Sequence, residues 1–368
     1  MKKLFVLLLL FFSALAVYFF YKPSKTIQTE SLVQQNFTKI DLPQEIQSIY
    51  KIEYNTYSQK LLMVAKQSDS SYGLWSYDTN NKNFEQLFHT DGIFSDAHVF
   101  VMDNGVLYFN TGNPARLYRS NDNGKTWKTV TENIGIFWSM AQQGDTVYGT
   151  LWSHNEPFLY RSIDNGLTWN LWKNFAEIFP EYAVPYSDTD NRNKLRHLHD
   201  IVVYNNALFV GAGDVWRPTL LSEDNGDTWR QIWDDGFTSH ILDIDKNMLI
   251  LGGDMAHDRG IAVYNLNEIS NTSSTVQTVW RPEDAGEAWQ GYIFSMVKLN
   301  GEYYAGVHTE TLRGKQTQKY GILNSKDGYK WEKFVEFETD TALTSLHLAT
   351  DGEDIFVSYN EELFLLGI

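Results

Sequence analysis

The sequence predicts one all-β domain, a seven-bladed β-propeller, and two repeating features support this prediction. A motif of the form Ser-x-Asp-x-Gly-x-Thr-Trp occurs three times in full and once in a shortened form. The aromatic residue that closes each unit recurs at intervals of roughly 40 to 60 residues, and repeats of about 40 to 50 residues with several strands each are typical of propeller blades. Seven such units can be traced. The first unit is weak, which leaves a six-bladed ring as the alternative.

The composition limits the class of function. The chain has 368 residues with 46 acidic and 30 basic side chains, a formal net charge of −16. This balance argues against a nucleic-acid partner, because binding to nucleic acid depends on neutralising phosphates with lysine and arginine. There is no cysteine, so disulfides, thiolate metal sites and cysteine nucleophiles are excluded.

Residues 1–21 are predicted to be a signal peptide or a membrane anchor. Leu4 to Tyr21 is apolar except for Ser13, and a run of this length can just span a bilayer. The sequence Ala14-Leu15-Ala16 also fits a cleavage site. The N-terminal helix therefore either contacts the membrane or is removed after Ala16, and both outcomes place the rest of the chain outside the cytoplasm. Residues 22–34 are predicted to be a tether.

The remaining residues, 35–368, are predicted to form the propeller. Hairpin signals such as Asp103-Asn104-Gly105 and Asn300-Gly301 precede short apolar second strands in each unit. The last unit, from Leu343, has room for only three strands. The alternating segment from Gln35 to Pro43 is therefore predicted to complete it and to close the ring, which removes exposed strand edges.

The repeated motif has the chemistry of a tight turn. Aspartate and serine side chains accept hydrogen bonds from turn N–H groups, glycine supplies positive φ, and the Thr-Trp pair enters a strand. The motif residues are Ser120, Asp122, Gly124 and Trp127; Ser162, Asp164, Gly166 and Trp169; Ser222, Asp224, Gly226 and Trp229; and, in the shortened copy, Asp327 and Trp331.

This pattern resembles the Asp-box (BNR-repeat) propeller superfamily, which includes sialidases, other glycosidases, sortilin-type receptors and photosystem assembly factors. The resemblance implies that the motif residues are structural and lie away from the ligand face. Sialidases also carry an early Phe/Tyr-Arg-Ile-Pro segment. Here Phe37-Thr38-Lys39-Ile40 lacks the arginine and the proline, so the catalytic signature of a sialidase is not matched.

If the motif turns share one face, the loops on the other face should converge on a ligand site. Sugars need planar apolar surfaces and forked polar groups, and arginine forks match a carboxylate. An alternative role for each arginine is an ion pair with a nearby acid. The candidate binding residues are His98, Trp138, His199, Asp214, Trp216, Arg217, His240, His257, Arg259, His308 and Arg313.

Glycosidic hydrolysis requires two flanking carboxyl groups, and Asp200, Asp254 and Glu310 are the catalytic candidates, with Asp200 and Asp254 as the preferred pair. A polysaccharide lyase would instead use the histidines as general bases. His197 and His199 share one side of a strand, but this spacing is weak evidence for zinc, so no metal and no cofactor is predicted.

The sequence thus favours an exported propeller that binds or cleaves an extracytoplasmic carbohydrate, with an acidic polysaccharide as the preferred partner. The alternative is a non-catalytic scaffold with a protein partner. The long insert from Lys173 to Arg196, which is rich in aromatic residues, fits either a lid over the site or an apolar docking patch.

Overall fold

The computed structural model describes residues 37–69, 71–90, 97–112, 114–152, 156–182, 195–214, 216–254, 260–285, 289, 292–308, 318–339 and 346–368. The predicted leader and tether lie outside these ranges. None of the helices in the described ranges is long and apolar enough to cross a membrane.

The described strands form seven antiparallel four-stranded sheets, so the prediction of seven blades is confirmed and the six-bladed alternative is wrong. In blades 1 to 6 the strands follow chain order. Blade 1 contains β2 (Ile46–Asn55), β3 (Lys60–Gln67), β4 (Tyr72–Asp78) and β5 (Phe84–Thr90). Blade 2 contains β6 (His98–Val101), β7 (Leu107–Thr111), β8 (Arg116–Ser120) and β9 (Lys128–Glu132). Blade 3 contains β10 (Ile136–Gln143), β11 (Thr146–Trp152), β12 (Phe158–Ser162) and β13 (Asn170–Asn174).

The second half of the chain continues the same order. Blade 4 contains β14 (Leu195–Tyr204), β15 (Ala207–Asp214), β16 (Thr219–Ser222) and β17 (Arg230–Trp233). Blade 5 contains β18 (Phe237–Asp243), β19 (Met248–Gly253), β20 (Ile261–Asn265) and β21 (Gln277–Trp280). Blade 6 contains β22 (Tyr292–Leu299), β23 (Glu302–His308), β24 (Gln318–Ser325) and β25 (Glu332–Thr339). Blade 7 contains β26 (Leu346–Thr350), β27 (Ile355–Tyr359), β28 (Glu362–Leu366) and the N-terminal β1 (Phe37–Ile40).

The two ends of the propeller are joined in blade 7, as the alternating N-terminal segment predicts. Strand β1 pairs with β28 in the register Phe37 to Leu366 and Ile40 to Leu363. Phe37 also packs against Phe337 of blade 6 and Phe364 of its own blade. The first strand of each blade contacts the first strands of its two neighbours, and these contacts form a closed ring.

Apolar side chains between adjacent sheets form the core. Between blades 4 and 5, for example, Phe209, Phe237 and Tyr264 are fully buried in one cluster. Burial of one such aromatic side chain contributes about 1.5 to 3 kcal/mol. The core is therefore spread around the ring, and the axis is left open for polar groups.

The helices that the structure describes are short and lie outside the seven sheets. They are α1 (Phe175–Ile178), α2 (Pro282–Ala285) and the 3-10 turns Pro180–Tyr182 and Leu266–Glu268. Helix α1 and the turn after it belong to the long insert. Phe175 is buried and Phe179 and Tyr182 pack against blade 4. The described part of the insert is therefore packed and does not form an exposed apolar patch.

The repeated motif forms the same hydrogen-bonded turn in each blade that carries it. In blade 3, Ser162 Oγ donates to Asp164 at 2.7 Å, and Thr168 donates to the same carboxylate through its backbone N–H (2.9 Å) and its hydroxyl (2.7 Å). Trp169 Nε1 donates to the carbonyl of Gly166 at 3.2 Å. Equivalent bonds surround Asp122 and Asp224. In the shortened copy, backbone N–H groups replace the missing threonine as donors to Asp327.

The motif turns and the hairpins between first and second strands share one face. The backbone N–H of Asn165, in the motif turn of blade 3, donates to the carbonyl of Asp145 in the first hairpin at 2.8 Å. Tyr108 of blade 2 donates to the carbonyl of Asn165 at 3.0 Å, which ties one blade to the next. The second strands start at these hairpins, so their far ends, where Gly253 and His308 lie, are on the opposite face.

Blade 5 departs from the motif in two ways. Trp280 ends β21, whereas Trp127, Trp169 and Trp229 precede the fourth strands of their blades. The turn after β20 is held by Arg230 of blade 4, which donates to the carbonyl oxygens of Asn271 and Ser274. The aromatic spacing is therefore not a strict structural period.

Candidate functional site

A central channel runs between the seven innermost strands. It encloses a cavity of about 990 Å³ lined by residues from β2, β6, β10, β14, β18, β22 and β26. This volume is at the upper end of the range usual for small-ligand sites. Both charged and aromatic side chains line it.

Bulges on the innermost strands determine which side chains face this channel. In four of these strands the pairing register shifts around an extra residue, which is Tyr50, Trp138, Thr238 or Phe294; β2 has a further shift at Gln47. All four line the cavity. A bulge inserts a residue that is unpaired in the ladder and so re-aims its side chain. The aromatic lining is therefore a product of local irregularity in the sheets.

Lys51 and His98 form the first polar pair in the channel. Lys51 Nζ lies 2.8 Å from His98 Nδ1. Burial, followed by the charges of Lys51 and His347, holds the pKa of His98 well below its usual value. His98 is therefore neutral near pH 7 and accepts the ammonium proton, because a neutral ring nitrogen without a proton is an acceptor.

Asp200 and His240 form the second pair. His240 Nδ1 lies 2.6 Å from Asp200 Oδ2, while Asp200 Oδ1 accepts from the Ser139 hydroxyl and from the Ile201 N–H at 2.8 Å. Burial acts to raise the pKa of Asp200, but the His240 charge and these hydrogen bonds outweigh it and lower the pKa. Burial acts to lower the pKa of His240, and the Asp200 carboxylate reverses this and raises it.

Glu53 places another carboxyl group in the cavity lining, two residues beyond Lys51 on β2. Burial raises its pKa, and the charges of Lys51 and His240 reduce that rise. The channel thus holds two carboxyl groups whose pKa values are moved in opposite directions. Such divergence is characteristic of acid and base pairs at functional sites.

His199 and Asp254 lie beside the channel and do not line it. The pairing register of β14 is irregular between Leu198 and Ile201. The side chains of His199 and Asp200, which lie in this segment, contact different partners. His199 Nδ1 lies 3.1 Å from Asp254 Oδ1, and its ring stacks on Trp138 with centroids 5.5 Å apart. His197 Nε2 approaches His199 Nε2 at 2.8 Å. Both preferred catalytic carboxylates of the sequence analysis are thus buried behind an imidazole.

The opposite wall of the channel is aromatic. His308 stacks on Phe294 with centroids 3.9 Å apart. His347 also lines the cavity, and burial together with the charges of Lys51 and His308 lowers its pKa to about 3. Neutral His347 therefore contributes a planar surface and hydrogen-bonding nitrogens to this wall.

Two predicted binding residues lie away from the cavity lining. Trp216 stacks on Tyr182 with ring centroids 3.5 Å apart. Arg217 Nε lies 3.0 Å from Asp235, which is fully buried. Arg217 therefore has the ion-pair role that the sequence analysis leaves open, although its partner is Asp235 and not a neighbouring loop acid.

The other predicted residues lie outside the described ranges. These are His257, Arg259, Glu310 and Arg313, together with the side chain of Asp214. Within the part of the chain that the structure describes, no group of three or more histidine or acidic side chains is arranged to hold a metal ion.

Sequence reasoning missed Lys51 and Glu53. They alternate along β2 in an otherwise largely apolar strand, and this pattern of two charges on one face of an innermost strand was the available signal. The first unit has only a decayed motif, around Asp78, so its strands carry a weaker repeat signal in the sequence. Ser139, which orients Asp200, gave no signal in the sequence.

No protein-family model matches the chain, and neither does any curated protein. Solved propeller structures do. The extracellular domain of the BT4673 hybrid two-component system of B. thetaiotaomicron has 14% identity and a TM-score of 0.58 over 90% of this chain, which spans only 39% of that one. Streptogramin B lyase has 12% identity and a TM-score of 0.60, with 90% of this chain and 98% of that chain covered.

YCF48 from Cyanidioschyzon merolae has 12% identity and a TM-score of 0.57, with 90% and 98% coverage, and its structure bound to a D1 peptide is also similar. At such identities the similarity establishes the propeller fold and nothing finer.

Proposed function

We propose that this chain is an exported Asp-box propeller whose central channel binds an acidic extracytoplasmic carbohydrate. The observation that carries the proposal is the Lys51 ammonium group. It lies in an aromatic-walled cavity and donates to neutral His98. No described carboxylate lies within ion-pair distance of it. Burial lowers the pKa of Lys51, and the charges of Glu53 and Asp200 oppose this only in part. An anionic partner would therefore stabilise the charged form of Lys51, because a buried charge is costly to remove from water.

Two other cations of the domain differ from Lys51, because each of them is paired with a buried carboxylate. Lys298 lines the cavity but lies 2.7 Å from the buried Asp243, so its charge is neutralised. Arg217 is paired with Asp235. The carboxylate of an acidic sugar would therefore bind most favourably at Lys51.

The aromatic lining supports a sugar as the carrier of that carboxylate. Trp138 and Phe294 are partly exposed in the channel, where the bulges place them. Flat apolar rings match the C–H faces of a pyranose, and the nearby imidazoles provide hydrogen bonds for its hydroxyl groups. Ligand sites commonly combine such apolar walls with a few placed polar groups.

Assignment to the Asp-box superfamily is supported by the shared turn. Asp122, Asp164 and Asp224 each accept from the serine and threonine of their own copy, so these carboxylates are occupied in the turn and are not available to a ligand. The apolar leader, residues 1–21, supports export, and with export the ligand would be an extracytoplasmic polymer or glycan.

Isothermal titration calorimetry of the full chain with oligomers of galacturonate, mannuronate and glucuronate tests the proposal. Replacing Lys51 by methionine should weaken binding by about 1.5 to 3 kcal/mol, or roughly ten- to a hundredfold in Kd, the range for a charge-assisted hydrogen bond. The control is Lys326→Met, because Lys326 lies in the motif turn of blade 6 with 83% of its side chain exposed. Equal affinities for the two variants, or no binding of any acidic oligomer by the natural chain, would rule the proposal out.

A protein partner is the second candidate function. Three large apolar side chains in and beside the motif turn of blade 3, Ile163, Leu167 and Leu171, are exposed, Ile163 to 69%. Peptide binding is also on record for YCF48, a propeller of the same fold. A pull-down of the natural chain against the Ile163→Asp, Leu167→Asp double variant tests this candidate. Loss of a partner from the double variant, with no carbohydrate binding by the natural chain, would make the scaffold function the better one.

A further inference from the structure

The Asp200–His240 pair defines one imidazole nitrogen that faces the channel. A carboxylate only accepts hydrogen bonds, so the Nδ1 of His240 must carry the proton that is donated to Asp200. Nε2 of the neutral ring then has a free lone pair. The side chain of Asp200 is only 6% exposed, whereas that of His240 is 32% exposed and lines the cavity. Asp200 is therefore a positioning residue, and His240 is the group able to meet a ligand.

The positions of the carboxylates argue against hydrolysis by a carboxylate pair. That mechanism needs two carboxyl groups that both reach the scissile bond. Both oxygens of Asp200 are occupied by Ser139, Ile201 and His240. Asp254 is similarly buried and lies at ion-pair distance from His199. Among the described residues, Glu53 is a carboxyl group that lines the cavity and is partly exposed there.

We infer that the channel cleaves its acidic polysaccharide by β-elimination, with His240 as the base, Glu53 as the acid and Lys51 as the cation that pairs with the uronate carboxylate. This inference rests on the proposed function, since it assigns a reaction to the same site. All three groups project from innermost strands, Lys51 and Glu53 from β2 and His240 from β18. Elimination needs an imidazole backed by a carboxylate and an ammonium group that can pair with the uronate, and hydrolysis by a carboxylate pair uses neither.

The reaction balances without a further reactant. His240 Nε2 takes the proton from the carbon next to the carboxylate, a proton that becomes more acidic when Lys51 neutralises that carboxylate. The electrons of the broken C–H bond form a double bond to the neighbouring carbon. The bond from that carbon to the glycosidic oxygen breaks, and the oxygen takes its proton from Glu53. After the elimination step His240 is a cation and Glu53 is an anion, and proton exchange with water restores the starting state of both groups.

The electrostatics of the channel agree with these roles. Burial raises the pKa of Glu53, which keeps a proton available for the leaving oxygen. Burial and the charge of Asp200 act in opposite directions on His240, and the net effect raises its pKa. The pKa values of the base and of the acid are thus both raised, and each group acts on the charge of the other across the channel.

The experiment incubates the full chain with polygalacturonate, alginate and hyaluronan and follows the products by ultraviolet absorbance and mass spectrometry. Elimination gives a conjugated unsaturated product that is lighter by one water than the hydrolysis product. In His240→Gln and Glu53→Gln the rate should fall about a hundredfold or more, the usual contribution of general acid–base groups. The Kd of the polymer should change far less. His89→Gln is the matched control, because His89 is exposed on β5, an outermost strand.

A second pair of variants separates positioning from folding. Asp200→Asn keeps the volume and one oxygen for Ser139 and Ile201, but it places an amide NH2 donor opposite His240 Nδ1, so the elimination rate should fall far more than binding of the polymer. In His240→Ala, added imidazole should restore part of the rate, which a structural defect would not allow.

The outcomes distinguish this inference from the proposed function. If a polymer binds and none of the three yields an unsaturated product, or if the products carry an added water, elimination is wrong and carbohydrate binding stands. Unchanged rates in His240→Gln and Glu53→Gln would also overturn the assignment of roles. If no polymer binds, the proposed function fails as well.

Discussion

Replacing Gly166 by alanine tests whether the repeated motif holds the ring together or only closes its own turn. Gly166 has a φ of +76° and lies against the preceding blade. A Cβ atom placed on it would lie 1.6 Å from the Tyr108 hydroxyl oxygen and 2.5 Å from the ring carbon that bears it. Tyr108 is fully buried and donates to the carbonyl of Asn165, so it cannot move aside without losing that bond.

The size of the effect follows from three contributions. A residue with a Cβ in the left-handed region costs about 1 to 2 kcal/mol. Loss of the Tyr108 hydrogen bond costs about 1 kcal/mol, and overpacking of a full core costs about 1 to 3 kcal/mol. The free energy of unfolding should therefore fall by about 3 to 6 kcal/mol.

Gly301→Ala is the matched control. Gly301 has a φ of +81°, but a Cβ atom on it would meet no atom within 4 Å. Both variants share the backbone cost and the reduced entropy of the unfolded chain, so their difference isolates the contact between blades. Urea unfolding followed by tryptophan fluorescence measures both, provided the m-values agree. If Gly301→Ala is destabilised as much as Gly166→Ala, the contact with Tyr108 contributes nothing and the reasoning is wrong.

Three further outcomes follow from the same structure. The hydrogen bonds from Ser162 and Thr168 lower the pKa of Asp164 to about 2, so its stabilisation is complete well above the unfolded value near 3.8 and is lost as the pH falls through about 2. In acid titrations monitored by circular dichroism, Asp164→Asn should be less stable than the natural chain at neutral pH, and the difference should disappear only below pH 2. Lys298→Met leaves the buried Asp243 without its ammonium partner at 2.7 Å, and chemical denaturation should show a loss of about 1 to 3 kcal/mol that Lys39→Met at the exposed edge of β1 does not reproduce. Phe37→Ala weakens the closure of blade 7, so the melting temperature should fall, and an unchanged value would show that β1 does not stabilise the ring.

Much of the fold follows from local sequence signals. The motif turns depend on hydrogen bonds within about seven residues, and the hairpins depend on Asn and Gly at positive φ, as at Asn300 and Gly301. The apolar second strands are buried wherever they were predicted. The closing strand β1 could be predicted because the last unit lacked one strand. The turns and hairpins depend on interactions between residues that are close in sequence, and the closing strand is required because the last blade otherwise has only three strands.

The site was only partly predictable, since tertiary structure decides which side chains face the channel. His98, Trp138, His240 and His308 lie in the cavity lining, on strands that the repeat locates in the sequence. Their partners could not be assigned from a one-dimensional pattern. Asp200 lies behind His240, an arrangement that joins two blades and depends on the irregularity in β14.

The sequence by itself determined the number and order of the blades and the structure of their turns, because alternation and turn chemistry act over a few residues. Only the tertiary structure decided which charges meet. Ring closure brings Lys51 and Glu53 of blade 1 into one cavity with His240 of blade 5, and bulges rotate the aromatic side chains toward them. Burial in that cavity then moves the pKa values of these groups, and burial is a property of the assembled ring and not of any segment.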